Sequence, residues 1–385
     1  MSFKSVINTE VQQYINANLK VDLHSLLLKK SPFPEVSIQE IAQQINGKRI
    51  AERKFPFLLK EGIIFPPHLN LEQSSSETTG FYKNNLVSGE SFIDLTSGFG
   101  IDSYLISQGF KEITLVERNT ELLKIVEHNW SVLGNKATFH NMDILDFLNQ
   151  NDQQFDVVFL DPARRDAQKN KVFLLEDLSP NILDIQEDLL NLGKKVIIKL
   201  SPLIDISYLR SVLDCITEIH IVAVKNDVKE ILVIQEKNNV VDDIKVKTVN
   251  LNSDDAVFEF NFKTLSEAKA DFGPIEDYLY IPNNAVLKSG AFNLISSDFN
   301  VKKLHPNSHF YTSDTVIPDF PGRILKVKAI SPKEIKKGGK FNIISKNYPL
   351  KPEEIKKKYK ITDGGEHYLI FTQDQKGKLI IESVS

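Results

Sequence analysis

Cysteine is almost absent from this sequence, since Cys215 is the single cysteine among 385 residues. One cysteine excludes an intrachain disulfide framework and a cysteine-rich zinc site, and it fits a reducing compartment. Long apolar runs are also missing: no stretch approaches the ~20 consecutive apolar residues of a membrane span, and the N-terminus lacks a secretory apolar core. With 41% hydrophobic and 25% charged residues, the composition is that of a globular protein. We therefore expect a cytoplasmic protein.

Charge is unevenly distributed along the chain. Residues 301–385 carry 17 Lys plus Arg against 9 Asp plus Glu, whereas residues 1–300 carry 30 against 42. A basic segment attracts nucleic acid, because each phosphate that a lysine or arginine neutralises releases counterions. A solvated, lysine-rich surface is the simpler alternative.

A chain of this length is expected to contain two or three domains. Residues 1–85 have apolar positions spaced by three and four, which predicts a helical domain with a polar connector. Residues 86–237 alternate apolar runs with helical patterns and predict a Rossmann-like α/β sheet. We assign residues 238–318 to an α+β, ferredoxin-like segment and residues 319–385 to a small basic α+β domain.

Two local predictions follow from the spacing of the apolar runs. Five parallel strands are expected to be followed by a final antiparallel pair, which residues 225–229 connect as a hairpin. In the last domain the pattern predicts a strand, a helix over Pro332–Lys337, and then the order strand, helix, strand, strand.

Residues 92–102 form an apolar run that ends in a glycine-containing turn before a new helix. Gly98 and Gly100 lack Cβ, so the backbone can turn sharply there and approach a ligand, while the helix presents free N–H groups. A glycine turn after a buried strand also occurs in α/β proteins that bind nothing at this point. A nucleotide pocket therefore needs support from the segments that follow.

Acidic residues follow the next apolar runs and provide that support. Glu117 lies 19 residues after Gly98, about the spacing at which a strand-end carboxylate meets ribose hydroxyls. Asp143 and Asp161 follow the third and fourth runs. Because the carboxyl ends of parallel strands meet at one crevice, these acids are expected to share a site. A nicotinamide-binding Rossmann domain would need a third glycine at position 103, where the chain has Ser103.

This pattern resembles a class I S-adenosylmethionine-dependent methyltransferase, with residues 94–100 as its first motif and residues 161–164 as its catalytic motif. The resemblance implies S-adenosyl-L-methionine as the cofactor. Thr96 stands where many such turns have their first glycine. The implied cofactor-binding residues are Asp94, Thr96, Gly98, Gly100, Glu117, Arg118 and Asp143, with Gln73 and Thr79 from the preceding connector.

Segments outside this core resemble bacterial class I methyltransferases with a C-terminal THUMP-like domain. The matching segments include residues 72–79, 288–292, 304–309, 320–323 and 363–365. THUMP domains are RNA-binding modules, so the resemblance implies an RNA methyltransferase acting on tRNA or rRNA, with the terminal domains holding the substrate. His305, His309 and Tyr311 are the substrate-binding candidates in this region.

The segment Asp161-Pro162-Ala163-Arg164 stands in the place of the Asp/Asn-Pro-Pro-aromatic motif of amino methyltransferases. The resemblance implies that Asp161 and the Pro162 carbonyl accept hydrogen bonds from an exocyclic amine. Arg164 replaces the aromatic residue that stacks on the base, and Ala163 replaces a proline. Arg164 and Arg165 could stack on a base or clamp a phosphate, or they could form ion pairs with nearby acids.

A related motif, Asp-Pro-Pro-Arg, belongs to C5-pyrimidine RNA methyltransferases, whose catalytic cysteine follows the next strand. Here that strand ends in Lys199-Leu200-Ser201, and serine is far less nucleophilic than a thiolate without a dedicated base. Cys215 is expected to be a small buried hydrophobe. Methylation of a base nitrogen is therefore preferred, with Lys199 and Ser201 as substrate-binding candidates.

No metal site is expected. His305 and His309 are four residues apart, but Pro306 lies between them and prevents a helix that would present both to one ion. Two other functions stay open: a non-catalytic RNA-binding protein on a degenerate methyltransferase core, and a methyltransferase for small molecules or proteins. The sequence also leaves the oligomeric state open.

Overall fold

The computed structural model describes residues 3–164, 174–239 and 241–384. The chain divides into two compact units, the first comprising Met1–Thr217 with Leu232–Val240 and the second comprising Glu218–Ile231 with Val241–Ser385. The division into four domains stays a prediction. Among the described residues, none of the helices is both long enough and apolar enough to cross a bilayer.

The first unit begins with helices that pack an apolar core of their own. Ser37 and Glu40 form a capping box that starts the longest of them, so two N–H groups without helical partners are satisfied. Its buried face contains Ile38, Ile41 and Ile45, the spacing of a single helix face. The helices are α1 (Phe3–Val6), α2 (Thr9–Ala17), α3 (Leu23–Leu27), α4 (Ile38–Lys54), α5 (His68–Gln73) and α6 (Glu77–Asn84).

A parallel sheet with helical connections fills the rest of the first unit. Its strands and helices are β1 (Ser91–Asp94), α7 (Ile101–Ile106), β2 (Glu112–Val116), α8 (Thr120–Leu133), β3 (Thr138–His140), α9 (Ile144–Gln150), β4 (Phe155–Leu160), β5 (Ala163–Arg164), β6 (Leu178–Ser179), α10 (Ile182–Leu192), β7 (Gly193–Leu200) and α11 (Ile206–Val212).

Five strands of this unit run parallel in the order β7-β4-β1-β2-β3. The order reverses at β1, which pairs with both β2 and β4, and a doubly wound sheet binds its ligands at such a switch point, beyond the carboxyl ends of the strands. The predicted Rossmann-like sheet is therefore confirmed.

The second unit contains a hairpin tip and a series of mostly antiparallel strands. Its elements begin with the hairpin strands β8 (Ile216–Val224) and β9 (Asp227–Gln235), whose first residues and last residues respectively belong to the first unit. They continue with β10 (Lys245–Leu251), β11 (Phe258–Asn261), α12 (Thr264–Glu267), β12 (Tyr278–Pro282), α13 (Asn284–Ser289), α14 (Leu294–Asp298), β13 (Lys302–Lys303), β14 (Tyr311–Ser313), β15 (Gly322–Ala329), β16 (Lys340–Ser345), α15 (Pro352–Tyr359), β17 (Thr362–Asp374) and β18 (Gly377–Ser383).

Within the second unit, seven strands form a sheet in the order β13-β14-β12-β15-β18-β17-β16. The hairpin between β8 and β9 turns at Lys225 and Asn226, both with positive φ. That geometry suits a two-residue turn between twisted strands. The predicted hairpin is present, although its turn is shorter than expected because β9 already begins at Asp227.

Two sequence predictions are wrong. The segment over 332–337 forms turns instead of the predicted helix, because six residues followed by Gly338 and Gly339 are too few to repay the cost of helix nucleation. Cys215 is exposed, not buried. It adopts a positive φ between α11 and β8, and its neighbours Leu213 and Ile216 are the buried residues there.

Substitution of Gly100 by alanine tests how tightly the glycine turn is packed. Gly100 has φ +74, and an added Cβ would lie 2.8 Å from Val126 Cγ1, whereas Gly134, with φ +81, has no atom within 4 Å of that position. Both alanine variants carry backbone strain of about 1–2 kcal/mol, and Gly100→Ala adds overpacking of about 1–3 kcal/mol. Urea unfolding should show the larger loss for Gly100→Ala; equal losses would contradict close packing at the turn.

Candidate active site at the carboxyl ends of the parallel strands

Asp94 connects the glycine turn to the helix that follows it. It is the last residue of β1 and is 1% exposed. Its Oδ1 accepts a hydrogen bond from the Thr96 N–H at 2.9 Å, and its Oδ2 accepts one from Ser103 Oγ at 2.6 Å. A buried carboxylate thus fixes the turn from both ends.

Glu117 is attached to the same turn from the neighbouring strand. Its Oε2 accepts a hydrogen bond from the Gly98 N–H at 3.0 Å and its Oε1 accepts one from the Asn119 N–H at 2.7 Å. Because each carboxylate oxygen can accept more than one hydrogen bond, these contacts orient the carboxylate and leave it able to accept others. The structure therefore brings the predicted ribose acceptor to the predicted glycine turn.

Arg118 follows Glu117 after β2, and Asp143 follows the next strand, β3. Asp143 Oδ1 accepts a hydrogen bond from the Leu145 N–H at 3.1 Å and starts α9. Arg118 is largely exposed, and its Nη1 lies 4.0 Å from Asp143 Oδ2. An exposed ion pair of this length contributes little to stability, so both side chains are available to a ligand.

Thr96 joins the glycine turn to the predicted catalytic motif. Its Oγ1 accepts a hydrogen bond from the Asp161 N–H at 2.7 Å. A glycine at this position could not make that contact, because it has no hydroxyl group. The substitution that distinguishes this turn from the common pattern therefore holds Asp161 in place, a role that sequence reasoning missed.

Asp161 belongs to a cluster of four charged side chains, which is most deeply buried at Lys83 and Asp102. Lys199 Nζ lies 2.5 Å from Asp161 Oδ2 and 2.9 Å from Asp102 Oδ2. Lys83 Nζ, whose side chain is wholly buried, lies 3.0 Å from Asp102 Oδ1. Ser75 Oγ donates to Asp102 Oδ2 at 2.7 Å and accepts from both ammonium groups at 3.1 and 3.2 Å. Two cations and two anions thus compensate one another, as buried charges must.

The pKa values of the three acids differ because of their surroundings. Burial raises the pKa of Asp94 to about 7, although Ser103 and Thr96 donate to it. Burial also raises the pKa of Asp161, and Lys199 opposes that rise. The pKa of Asp102 lies below its ordinary range. Burial alone would raise this pKa, but the ammonium groups of Lys199 and Lys83 together lower it by more than burial raises it. Asp102 is therefore the permanent anion of the group.

The connector before the sheet reaches the site through a residue that the sequence did not single out. Ser75 belongs to the charged cluster, whereas Thr79 is buried in the first turn of α6 and its Oγ1 donates to the Ser76 carbonyl at 3.0 Å. Gln73 is exposed at the end of α5. The predicted cofactor roles of Gln73 and Thr79 stay predictions.

The remaining candidates of the catalytic motif lie near the ends of β4 and β7. Pro162 is buried, and Arg164 is exposed on β5, which pairs with β6. Arg165 lies outside the described residues. Ser201 is exposed, and its Oγ accepts a hydrogen bond from the Leu203 N–H at 3.3 Å. The structure thus places Lys199, but not Ser201, in contact with Asp161.

The other substrate-binding candidates belong to the second unit. Tyr311 is wholly buried, and its hydroxyl donates to the Phe292 carbonyl at 2.6 Å. This burial gives Tyr311 a packing role, and its predicted contact with substrate has no support in the geometry. His305 Nδ1 accepts hydrogen bonds from the Asn307 N–H and from Asn347 Nδ2, both at 3.1 Å.

The glycine turn has features that suit a small polar ligand. Ser97 Oγ is buried and has no hydrogen-bond partner among the residues described. A Cβ added to Gly98 would have only the Thr96 carbonyl oxygen near it, at 3.9 Å, so open space adjoins the turn. An unsatisfied buried hydroxyl is costly, and a ligand that bonds to it removes that cost.

Within residues 3–164, 174–239 and 241–384, no group of three or more His, Cys, Asp or Glu side chains is arranged to hold a metal ion.

Three protein-family models match the chain. Residues 78–183 match a family described as conserved hypothetical protein 95, residues 278–321 match a ferredoxin-like domain, and residues 322–382 match a THUMP-like domain.

Two similar proteins are described as methyltransferases. An uncharacterized RNA methyltransferase of Mycoplasma mobile is 31% identical over 181 residues, which are 43% of this chain and 48% of that relative. The chain thus spans about half the length of this curated relative. A crystal structure of a candidate methyltransferase from Porphyromonas gingivalis W83 is 28% identical, with a TM-score of 0.86 over 98% of this chain and 97% of the other.

The doubly wound sheet with acids at its carboxyl edge defines a class I methyltransferase fold. The sequence resemblance predicted this fold, and the matches to a ferredoxin-like domain over residues 278–321 and to a THUMP-like domain over residues 322–382 agree with the predicted C-terminal region.

Lys83→Met tests the buried charge cluster. The variant leaves Asp102 with one ammonium group and should lower the free energy of unfolding by about 3 kcal/mol, the usual effect of breaking a buried ion pair. Lys111→Met removes the exposed pair with Glu90 and should leave the unfolding midpoint nearly unchanged. Chemical denaturation measures both, and similar losses would contradict a structural role for Lys83.

Asp94→Asn tests the raised pKa of Asp94. Because that pKa rises from 3.8 to about 7 on folding, the folded wild type keeps a proton that the unfolded chain loses between these pH values. Wild-type stability should therefore fall relative to the variant by roughly 1.4 kcal/mol per pH unit across this window and stay level above it. Urea unfolding from pH 4 to pH 8 measures the difference, and parallel profiles would contradict the shift.

Proposed function

We propose that this protein is an S-adenosylmethionine-dependent methyltransferase that methylates a base nitrogen in tRNA or rRNA. One observation carries the proposal: the Thr96 hydroxyl and the Gly98 N–H join the glycine turn to Asp161 and Glu117 respectively. A donor held by the turn would then lie beside the residue that receives the acceptor.

The residues at the turn fit the donor. When bound, S-adenosylmethionine supplies a methyl group activated by a positively charged sulfur. Glu117 would accept hydrogen bonds from the ribose hydroxyls, and Asp143 would lie near the adenine. The Ser97 hydroxyl, which has no hydrogen-bond partner among the described residues, and the space beside Gly98 would receive the polar amino-acid part of the donor.

Asp161 would orient the acceptor nitrogen. Lys199 pairs with its Oδ2, and among the described residues Oδ1 has no hydrogen bond or ion pair, so Oδ1 is the oxygen that would accept an N–H of the target amine. The Pro162 carbonyl would accept another. Hydrogen bonds at these two points would direct the nitrogen lone pair at the methyl group, and positioning of this kind supplies much of the rate.

The positive charge that develops on the acceptor nitrogen also suits Asp161. Methyl transfer would form the nitrogen–carbon bond as the sulfur–carbon bond breaks and would place positive charge on the nitrogen, which the carboxylate of Asp161 beside it would stabilise. The nitrogen then loses its proton. Asp161, whose pKa is raised by burial, is suited to take this proton and pass it to water.

The domain content and the charge distribution support RNA as the substrate. Residues 322–382 are similar to a THUMP domain, and the basic balance of residues 301–385 would attract phosphates. The relative from Mycoplasma mobile is described as an RNA methyltransferase. We further propose that the N- and C-terminal domains hold the RNA.

Nitrogen is favoured over pyrimidine C5 as the target atom. A C5 mechanism needs a thiolate after the strand that follows the catalytic motif, where this chain has Ser201. Cys215, the single cysteine, lies beyond α11. Direct attack by an amine needs no covalent intermediate, and the described site contains the hydrogen-bond acceptors that such an attack requires.

Donor binding is the first test of this function. Isothermal titration of the full chain with S-adenosylmethionine should show one site, and Gly98→Arg should abolish it by filling the space beside the turn. Gly109→Arg is the matched control, because Gly109 also has positive φ and open surroundings but precedes β2 at its amino end. Absence of donor binding to the wild type would refute the function.

Asp161→Asn tests the catalytic step separately. The variant should bind the donor nearly as well as the wild type and transfer methyl groups at least about 100-fold more slowly, since it loses an anionic acceptor. Mass-spectrometric profiling of RNA nucleosides from a deletion strain, complemented with each variant, would identify the product. An unchanged profile on deletion would contradict RNA methylation and favour one of the two alternatives, a non-catalytic RNA-binding protein or a methyltransferase for small molecules or proteins.

A further inference from the structure

A cavity of about 320 Å³ lies in the second unit, within the region similar to ferredoxin-like domains. It is bounded by the loop that joins α13 to α14 and by the loop before β14. Its lining includes Phe292, Asn293, Lys303, Asn307 and His309. No carboxylate is among its lining residues, so the cavity differs in charge from the acidic site of the first unit.

Lys303 carries a charge that lacks an anionic partner in the described part of the chain. It is 3% exposed, and its ammonium group lies 5.6 Å from the centre of the Phe292 ring. Burial alone lowers the pKa of Lys303. The adjacent Lys302 is different, because its Nζ lies 2.6 Å from Glu276 Oε1 and its side chain is half exposed. A buried cation without an anion is costly.

His309 adds an unsatisfied polar atom to the same cavity. Its ring stacks on Phe292 with 3.7 Å between centroids, and its buried Nδ1 has no hydrogen-bond partner among the residues that the structure describes. Burial, followed by the charges of Lys303 and Lys346, lowers the pKa of His309 to about 4. The imidazole is therefore neutral at pH 7 and able to donate one hydrogen bond.

An anion with several acceptor oxygens suits the side chains that line this cavity. A phosphate group would compensate the charge of Lys303 and accept a hydrogen bond from His309. Pro306 and Asn307 at the rim are exposed, so a long chain could present one of its phosphates there. We propose that this cavity binds a backbone phosphate of the RNA, which rests on the RNA substrate proposed above.

Replacing Lys303 by glutamine distinguishes RNA binding in this cavity from the general attraction of RNA to a basic surface. Lys303→Gln should weaken binding of fluorescently labelled total bacterial RNA about 5- to 10-fold and reduce the slope of log K against log salt by about 0.7–0.9, the loss of one phosphate contact. Lys302→Gln, the matched control, should leave the slope unchanged because Lys302 is already paired. Equal effects of the two variants would overturn the proposal.

Inorganic phosphate tests the cavity without RNA. Phosphate should raise the thermal midpoint of the wild type by mass action, and it should raise that of Lys303→Gln less than that of Lys302→Gln. Without phosphate, Lys303→Gln should melt no lower than the wild type, since the change removes an uncompensated buried charge. A lower midpoint would show that Lys303 is structural and would overturn the proposal.

The two measurements together identify the source of the phosphate. If phosphate stabilises the wild type through Lys303 but RNA affinity does not depend on Lys303, the cavity takes a small phosphorylated ligand and the RNA assignment is wrong. Titration with S-adenosylmethionine is independent of both measurements. Loss of donor binding would therefore refute the methyltransferase function and leave the result for the cavity intact.

Discussion

The proposed active site depends on the ion pairs that the Asp102 carboxylate forms with two lysines. The two oxygens of this carboxylate contact the ammonium groups of Lys83 and Lys199, and Lys199 in turn contacts Asp161. Ion pairs in the interior gain little net stability, but a partly broken pair leaves a charge that the interior cannot solvate. The cluster therefore admits few alternative arrangements, and the orientation of Asp161 follows from it.

A second set of contacts fixes the same residues from the backbone side. Asp94 holds both ends of the glycine turn, and Thr96 holds the N–H of Asp161. Side-chain and backbone contacts together confine Asp161 before any ligand arrives. Such preorganisation is the usual origin of catalytic power in sites whose chemistry needs alignment more than covalent help. The acids also differ in ionisation, because Asp102 has two cationic partners whereas no cation lies against Asp94 in the described part of the chain.

The sequence predicted the parts of this site that follow from periodicity. Glu117 and Asp161 end apolar runs, and parallel strands necessarily bring such ends together. Lys83 was not predictable, because a lysine in a short polar helix has the local pattern of a surface residue and only tertiary packing buries it. The exposed Cys215 shows the reverse case: a free cysteine is usually a small buried hydrophobe, but the chain turns at Cys215, and its neighbours Leu213 and Ile216 are the buried residues. Charge pairing between distant segments leaves no local signature.

The position of Lys83 in α6 has a consequence for how this chain can be divided. The sequence suggested a helical domain ending near residue 85, yet Lys83 and Ser75 supply charge and hydrogen bonds to Asp102 inside the α/β core. A fragment that begins after α6 would lack Lys83 and would leave the buried Asp102 with Lys199 as its remaining cationic partner among the described residues. The segment that contains Ser75 and α6 therefore cannot be exchanged independently of the sheet. Gene rearrangements that retain the sheet must also retain this segment.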